Sequence, residues 1–243
     1  MGDIVNETTA PGLLFLFDMD EVLVRYDWRV RMQALAEFTG HDFTELRRRW
    51  WDCGNEALAE AGHFPDGDAY LAAFEEAMGC DVPEADWARI RGAAMTELPE
   101  RIDAVRFAAT HGRVGLLTNN GPLAGRWIDR WAPSLPPLFG DHLDTTSNFG
   151  ARKPEPEVFR RALEHHRVPA ERTFFADDMP INVEGARSVG IHAVLVEEDT
   201  DLRAAVAAFV AEQEQAEQEQ VEQARPGQER AERDGREARL TSA

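Results

Sequence analysis

The sequence is poor in two residue types that define whole classes of proteins. Lysine occurs once, at position 153, although the chain holds 26 basic side chains. Cysteine occurs twice, as Cys53 and Cys80, which form no CxxC motif and are too few for a disulfide framework. We therefore expect a reduced, cytoplasmic protein in which both thiols are buried.

Long apolar runs and an excess of positive charge are also absent. No run of about 18 or more apolar residues is available to span a membrane. The first residues, MGDIVNETTAPG, have neither the basic segment nor the apolar segment of a secretion signal. The formal net charge of −19 opposes binding to nucleic acid or to anionic membranes. We expect neither kind of partner.

Part of the negative charge lies in a C-terminal tail, residues 211–243, in which AEQEQ occurs twice in tandem. Glu, Gln and Ala favour helix, but this segment has almost no apolar stripe to bury. We predict a solvated, frayed helix that passes into disorder. A coil that binds a partner is the alternative.

Four short apolar runs alternate with segments of helical periodicity in the rest of the chain. The runs are LLFLF (13–17), VGLLT (114–118), TFFA (173–176) and HAVLV (192–196). Continuous apolar strands followed by amphipathic helices are typical of a parallel sheet covered on both faces. The sequence thus predicts an α/β fold with a Rossmann-like parallel sheet, in which ligands bind at the carboxyl ends of the strands.

A long helical stretch follows the first strand, where a single crossover helix would suffice. Residues 25–102 carry apolar side chains at helical spacing and contain no convincing strand. We interpret them as a helical domain inserted into the core. The predicted organisation is an α/β core of residues 10–24 and 103–210, the helical domain of residues 25–102, and the tail.

Polar side chains follow the predicted strands where each strand ends. They are Asp18 and Asp20, Thr118 and Asn119, and Asp177 and Asp178, with Lys153 at the start of a later helix. Each alone has an ordinary explanation as a turn or cap residue. Together, four acids at one sheet edge repel one another unless a cation lies among them. Carboxylates without a Cys or His cluster nearby favour Mg²⁺ over zinc, and the remaining groups suit a phosphate.

Lys153 keeps a lysine where arginine occupies every other basic position. Lysine carries a compact point charge, whereas arginine presents a broad planar fork. Our hypothesis is that this position needs one ammonium in contact with both a phosphate oxygen and a neighbouring carboxylate.

Four segments, in order along the chain, resemble the four motifs of the haloacid dehalogenase superfamily of hydrolases. They are LFLFDMDEVLV, VGLLTNN, GARKPEPEVF and FFADDMPINVEGARSVGI. By this resemblance Asp18 is the nucleophile that forms an aspartyl-phosphate, and Asp20 is first the general acid and then the general base. Thr118 and Asn119 hold the phosphoryl oxygens, and Lys153 stabilises the nucleophile and the transferring group.

The resemblance also implies a bound Mg²⁺. Its ligands are the Asp18 carboxylate, the backbone carbonyl of Asp20 and the carboxylate of Asp178, with Asp177 at or just behind the ligand sphere. Asn182 orders the loop that follows. Dehalogenases of the superfamily need no metal and typically lack the second aspartate, so the presence of Asp20 favours phosphoryl transfer.

One position departs from the family pattern. Glu21 follows the second aspartate, where the family most often has glycine. A non-glycine residue is sterically tolerable at this position if its φ stays negative. A further carboxylate beside the metal is expected to weaken substrate binding.

The insertion after the first strand implies the helical type of cap, which closes over the cleft and admits small substrates. The chain is similar to bacterial sugar-phosphate phosphatases that act on glucose 1-phosphate, and to the N-terminal phosphatase domain of soluble epoxide hydrolase. Candidates for substrate contact are Trp28, Arg29, Trp50, Trp51 and Asn55. Alternatively, one ring of the Trp50–Trp51 pair packs in the core of the cap and the other covers the hinge. His165 and His166 are expected at a helix surface.

The resulting prediction is a Mg²⁺-dependent phosphatase acting on a small phosphorylated metabolite, as a monomer or homodimer. Three alternatives stay open. A phosphomutase of the same fold needs basic cap residues, which Arg29 and Arg47–Arg49 supply. A dehalogenase is disfavoured by Asp20. A binding or scaffold protein acting through the tail is compatible with Glu21.

Overall fold

The structure, a computed structural model, describes residues 12–219, and the chain divides into two compact units, Met1–Arg203 and Ala204–Ala243. The strands of the first unit are β1 (Leu13–Phe17), β2 (Val24–Tyr26), β3 (Met95–Glu97), β4 (Gly112–Thr118), β5 (Leu143–Thr145), β6 (Thr173–Asp177) and β7 (His192–Leu195). Five of them form a parallel sheet in the order β5-β4-β1-β6-β7. All four predicted apolar runs are strands, and the predicted α/β fold is confirmed.

The strands are aligned so that three of them end at one edge of the sheet. Phe17, the last residue of β1, pairs with Leu116 of β4 and with Ala176 of β6. Every residue of β1 is buried, as expected for a central strand covered on both faces. The segments that follow β1, β4 and β6 therefore leave the sheet side by side.

A helical insertion, residues 27–94, lies between β2 and β3. Its helices are α1 (Trp28–Thr39), α2 (Phe43–Leu46), α3 (Asn55–Glu60), α4 (Gly67–Met78) and α5 (Glu84–Gly92), with a π-helical turn at Arg47–Trp51. Asp27, Asp42 and Asp66 cap the first, second and fourth of these helices, each accepting from backbone N–H groups of the first turn. These three aspartates explain where the helices begin.

Two strands bracket the insertion, which corrects the expectation that residues 25–102 contain none. Val24 of β2 lies opposite Glu97 of β3 in an antiparallel pair. Each strand has only three residues, which is too short for an alternating pattern to be detected in the sequence. The pair brings the two ends of the insertion together.

The remaining helices of the first unit cover the sheet. They are α6 (Pro99–Ala109), α7 (Pro122–Gly125), α8 (Ile128–Trp131), α9 (Pro136–Phe139), α10 (Pro156–His166) and α11 (Pro180–Arg187). The apolar faces of α10 and α11 pack on β1 and β6 in one buried cluster that includes Leu14, Leu16, Phe159, Phe175 and Val183. Burial of this apolar surface is the main force that fixes the sheet edge.

Three side chains lie elsewhere than the sequence predicts. Cys53 is exposed and Cys80 is half-buried. Both lie just after the end of a helix and therefore not on a buried apolar helix face. His166 is buried, because it lies on the face of α10 that packs against Gly115 of β4. Its neighbour His165 is exposed, as expected.

The second unit is helical over residues 204–219. Residues 211–219, the start of the predicted tail, form exposed helix, whereas the disorder predicted beyond them lies outside the described residues. The predicted boundaries between core, helical domain and tail stay a prediction. Among the described helices, none is both long enough and apolar enough to cross a membrane.

Candidate active site

Asp18 lies at the centre of the edge where β1, β4 and β6 end. Its backbone N–H donates to the carbonyl of Ala176 at 2.9 Å, so the pairing of β1 with β6 continues to this residue. Asp18, Thr118 and Asp177 are all buried. The parallel register thus gathers the side chains that the sequence placed at separate strand ends.

Lys153 is enclosed between two carboxylates. Its Nζ donates to Oδ2 of Asp177 at 2.7 Å and forms an ion pair with Oδ1 of Asp18 at 2.9 Å. Burial opposes the charge, but these two carboxylates raise the pKa of Lys153 above its ordinary value. The side chain of Asn119 clamps the backbone, donating to the Lys153 carbonyl at 3.0 Å and accepting from the Lys153 N–H at 2.9 Å. Lys153 is therefore fixed at both ends.

The polar side chains of the loop after β4 contact two different partners. The side-chain amide of Asn119 is engaged with the backbone of Lys153. Oγ1 of Thr118 accepts from Nδ2 of Asn120 at 2.9 Å, which leaves its O–H as a donor. Asn120 is buried. The sequence analysis assigned it no function, although its position two residues after Thr118 could have indicated a contact between the two side chains.

The two aspartates after β6 have different surroundings. Asp177 is fully buried, and its Oδ1 accepts from the N–H of Met179 at 2.8 Å and from Nδ2 of Asn182 at 2.9 Å. Asn182 thus fastens the loop between β6 and α11. Burial raises the pKa of the partly exposed Asp178 to about 6, and the charge of Asp177 adds to the rise.

Three carboxylates form a group suited to a metal ion. One oxygen from each of Asp18, Asp177 and Asp178 lies within 4.8 Å of the other two. Burial raises the pKa of Asp18 to about 7, Lys153 lowers it, and Asp177 raises it further. Ionisation of all three acids therefore requires more positive charge than Lys153 supplies. A hard divalent cation such as Mg²⁺ fits this oxygen donor set.

Asp20 is held from the helical insertion by a residue that the sequence analysis missed. Nη2 of Arg91, in α5, donates to Oδ2 of Asp20 at 2.9 Å. Arg91 is buried, and its guanidinium lies over the rings of Tyr26 and Trp131 at 4.9 and 5.2 Å. Oδ1 of Asp20 is buried and has no hydrogen-bond partner within residues 12–219. No local pattern in the sequence marks a contact across 71 positions.

Glu21 adopts a φ of +60°, so the negative φ that would make a non-glycine residue easily tolerable is not found. Its N–H donates to the carbonyl of Val24 at 2.7 Å, which closes a tight turn after Asp20. Its Oε1 accepts from the N–H of Tyr26 at 2.7 Å. This hydrogen bond offsets part of the cost of the left-handed conformation, about 1–2 kcal/mol for a non-glycine residue.

The aromatic candidates of the insertion separate into buried and accessible groups. Trp50 is fully buried and packs edge-on against Tyr70 and Phe74 at 5.2 and 5.0 Å. This position argues against substrate contact by Trp50 and favours the alternative that its ring packs in the core of the insertion. Trp28 and Trp51 are half-buried and meet edge to face at 4.9 Å.

Two clefts open beside the turn at Glu21. One, of about 390 Å³, is lined by Trp28 and Arg29. The other, of about 880 Å³, reaches Asp178, but neither Asp18 nor Lys153 lines it. The deepest catalytic candidates are thus covered in this arrangement. Asn55, the fifth insertion candidate, is half-buried at the start of α3.

Ion pairs join the helical insertion to the strand-end loops. Nη2 of Arg152 lies 2.6 Å from Oε2 of Glu60, and Oγ1 of Thr146 donates to the Glu60 carbonyl at 2.9 Å. Burial raises the pKa of Glu60 to about 7, although Arg152 opposes the rise. Further along the interface, Nη1 of Arg126 contacts Asp68 at 2.6 Å. These contacts cover the site from the insertion side.

A family model supports the superfamily resemblance that the four motifs indicate. The model, described as haloacid dehalogenase-like hydrolase, matches residues 13–190. This match spans every strand of the sheet except the last and every site residue discussed above. The chain therefore belongs to the haloacid dehalogenase-like hydrolases.

Individual relatives agree with this assignment. Phosphatase MT3486 of Mycobacterium tuberculosis (strain CDC 1551 / Oshkosh) is 29% identical over 195 residues, which cover 77% of this chain and 88% of that protein. An HAD family enzyme of Bacteroides thetaiotaomicron, BT-2542, solved in complex with magnesium and inorganic phosphate, has a TM-score of 0.67 at 20% identity and covers 78% of this chain and 96% of its own. A 2-haloacid dehalogenase of Pseudomonas syringae has a TM-score of 0.54 at 19% identity, covering 82% and 99%. The structural similarities concern the fold.

Proposed function

We propose that this chain is a Mg²⁺-dependent phosphatase that hydrolyses a small phosphorylated metabolite through an aspartyl-phosphate. The observation that carries the proposal is the buried Asp18 carboxylate, which is paired with Lys153 and grouped with Asp177 and Asp178. The relative from M. tuberculosis is a phosphatase by name, and the B. thetaiotaomicron enzyme binds magnesium and phosphate. Both support phosphoryl chemistry over dehalogenation.

In the first step, a carboxylate oxygen of Asp18 attacks the substrate phosphorus, and the ester P–O bond breaks with its electron pair on the leaving oxygen. Asp20 gives that oxygen a proton. Lys153 orients Asp18 and offsets the charge of the phosphoryl group. The O–H of Thr118 and the N–H of Asn119 donate to the phosphoryl oxygens.

In the second step, Asp20 takes a proton from water, whose oxygen attacks the phosphorus of the aspartyl-phosphate. The bond between phosphorus and Asp18 breaks, which restores the carboxylate and releases inorganic phosphate. We assign the proton transfers to Oδ1 of Asp20, because Arg91 occupies Oδ2. Asp18, Asp178 and the carbonyl of Asp20 would hold Mg²⁺, whose charge allows an anionic substrate to approach an anionic nucleophile.

We also propose that the helical segment, residues 25–102, is a cap over the catalytic core, and that the substrate is a sugar phosphate. The contacts of Glu60 and Arg91 with the strand-end loops support closure over Asp18 and Asp20. Trp28, Arg29, Trp51 and Asn55 stay the candidates for substrate contact. The substrate class rests on the resemblance to sugar-phosphate phosphatases.

The test is phosphate release from a panel of small phosphomonoesters, with and without Mg²⁺. Asp18→Asn is the matched blank, since it keeps the shape of the nucleophile and removes its charge. We expect turnover that requires both Mg²⁺ and Asp18. A folded, Mg²⁺-loaded protein that releases no phosphate from any substrate would refute the proposal, and halide release from 2-haloacids would replace it with dehalogenation.

A further inference from the structure

A second group of metal-binding side chains lies at the outer edge of the sheet, on strand β5 and beside it, two strands away from β1. His142 precedes β5, Asp144 belongs to β5, and His165 and His166 end α10. One ligand atom from each of the four lies within 4.8 Å of those of the other three. Three imidazoles and one carboxylate therefore converge from two elements of the fold.

Buried atoms of this group lack hydrogen-bond partners. Within residues 12–219, Nδ1 of His142, Oδ2 of Asp144 and Nδ1 of His166 have no hydrogen-bond partner, and Oδ2 of Asp144 lies 3.8 Å from Nε2 of His165. His166 is 2% exposed and Asp144 is 8% exposed, so bulk water does not solvate them freely. Buried polar atoms are almost always paired, and a set of unpaired ones at one point indicates a partner other than the protein.

We propose that His142, Asp144, His165 and His166 bind one divalent transition-metal ion of the zinc class. Imidazole nitrogens and a carboxylate oxygen are ligands that Zn²⁺ accepts, whereas Mg²⁺ prefers oxygen alone. A tetrahedral ion with bonds of about 2.1 Å requires ligand separations of about 3.4 Å. The ligand atoms, now within 4.8 Å of one another, would close to that separation around the ion.

The surroundings prepare these groups for a metal. Nδ2 of Asn148 donates to Oδ1 of Asp144 at 3.1 Å, which orients the carboxylate and leaves Oδ2 for the ion. The side chain of His165 is 46% exposed and offers the path of entry.

An ion here would tie β5 to the C-terminal end of α10. The chain between these two points, residues 145–164, contains Lys153, which contacts Asp18. We therefore assign the site a structural role, in which the metal fixes both ends of the segment that presents the catalytic ammonium. This role is separate from the Mg²⁺ group at Asp18 and does not depend on the identity of the phosphorylated substrate.

Titration of the chelator-treated full chain with Co²⁺ tests the proposal, with excess Mg²⁺ present throughout to occupy oxygen sites. Four-coordinate Co²⁺ with nitrogen ligands gives intense visible absorption bands, whereas six-coordinate oxygen sites give weak ones. We expect the intense bands at about one Co²⁺ per chain, and their loss when Zn²⁺ is added. Zn²⁺ at about 100 times its Kd should raise Tm by about 5 °C.

Two variants test the ligands, and two further variants are controls. His165→Ala and Asp144→Asn should each weaken Co²⁺ binding by about tenfold or more and, at the same Zn²⁺ concentration, reduce the rise in Tm to about half or less. His111→Ala, at an exposed histidine outside the group, should bind as the wild type does. Asp18→Asn should also keep the intense bands, which separates this site from the catalytic one.

Two results would overturn the proposal. One is a wild-type chain that shows only weak, six-coordinate Co²⁺ bands and no change of Tm with Zn²⁺. The other is undiminished binding in both His165→Ala and Asp144→Asn. If a variant fails to fold, the Co²⁺ spectrum of the wild-type chain still tests whether the site binds metal.

Discussion

The carboxyl edge of the sheet and the helical insertion meet at Asp20, and they contribute to the site in different ways. The sheet edge supplies Asp18, Lys153 and Asp177, which are buried and bound to one another at 2.9 and 2.7 Å. The insertion supplies Arg91, which holds one oxygen of Asp20 from the opposite side. The edge thus carries most of the candidate catalytic groups, and the insertion contacts one of them, Asp20.

The contacts of the two regions also differ in strength. Removing one partner of the buried Lys153 pairs leaves an uncompensated charge, which costs about 3–5 kcal/mol. By contrast, the Arg126–Asp68 pair between insertion and core is solvated, with Asp68 79% exposed, and such pairs contribute about 0–1 kcal/mol. The contacts between insertion and core are thus of mixed strength, because the solvated Arg126–Asp68 pair accompanies the buried pair of Arg91 with Asp20.

Lys153→Arg should produce the largest loss of activity. The cavity around Nζ accommodates one ammonium between Asp18 and Asp177, and a planar guanidinium is too broad for it. We expect kcat to fall by about 10²–10³-fold, similar to the loss of one group that stabilises transition-state charge. Steady-state phosphate release, with Tm as a measure of folding, provides the test.

Arg160→Lys is the matched control, because it makes the reverse exchange on an exposed side chain of α10. Its kcat should equal that of the wild type. Undiminished turnover in Lys153→Arg would show that the retention of lysine has no chemical reason.

Arg91→Ala should have a smaller effect that depends on the leaving group. Without the guanidinium, Asp20 loses the contact that orients it toward the leaving oxygen. For alkyl phosphates, we expect the variant to lose part of the rate enhancement, roughly 10²–10⁴-fold, that general acid catalysis contributes. In kcat/KM, which reports the formation of the aspartyl-phosphate and not its hydrolysis, the loss should be slight for 4-nitrophenyl phosphate, because its leaving group departs without a proton.

Arg89→Ala is the control for this experiment, since Arg89 lies on the same helix and pairs with Asp86 in solvent. It should leave both substrates unaffected. An equal loss for the alkyl and the nitrophenyl substrate would assign Arg91 to packing of the insertion and not to Asp20.

The two regions differ in how far the sequence predicts them. Side chains at strand ends are placed by the parallel register, so Asp18, Thr118 and Asp177 could be grouped from their positions after apolar runs. Arg91 could not, because a contact from an inserted helix depends on how that helix packs. The same applies to His166, whose burial follows from the close packing of α10 on Gly115.

Mg²⁺ should stabilise the protein more at high pH than at low pH. The folded, metal-free pKa values of Asp18 and Asp178 are about 7 and about 6, above the ordinary value of 3.8. Between these limits the folded state binds more protons than the unfolded state, so metal-free stability falls as pH rises. Mg²⁺ must displace those protons at low pH but not above pH 7.

The measurement is the difference in Tm with and without Mg²⁺ at each pH from about 5 to 8, a range set by these pKa values. The subtraction cancels groups that do not contact the metal. We expect a rise of several degrees in this difference across the range, and its loss in Asp178→Asn. A difference independent of pH would place the metal away from these acids.

Glu21→Gly should have the smallest effect on stability and a modest effect on activity. Glycine relieves about 1–2 kcal/mol of left-handed strain at φ +60° but loses the hydrogen bond to Tyr26, worth about 0.5–1.5 kcal/mol, so the two nearly cancel.

After burial and Asp177, Glu21 is a lesser cause of the raised pKa of Asp178. Its removal takes a negative charge from beside the metal-binding carboxylates and should therefore weaken Mg²⁺ binding by a few fold. Glu21→Gln, which keeps the size of the side chain and removes its charge, should bind Mg²⁺ as the glycine variant does. If only the glycine variant loses affinity, the cause is the backbone of the turn and not the charge of Glu21.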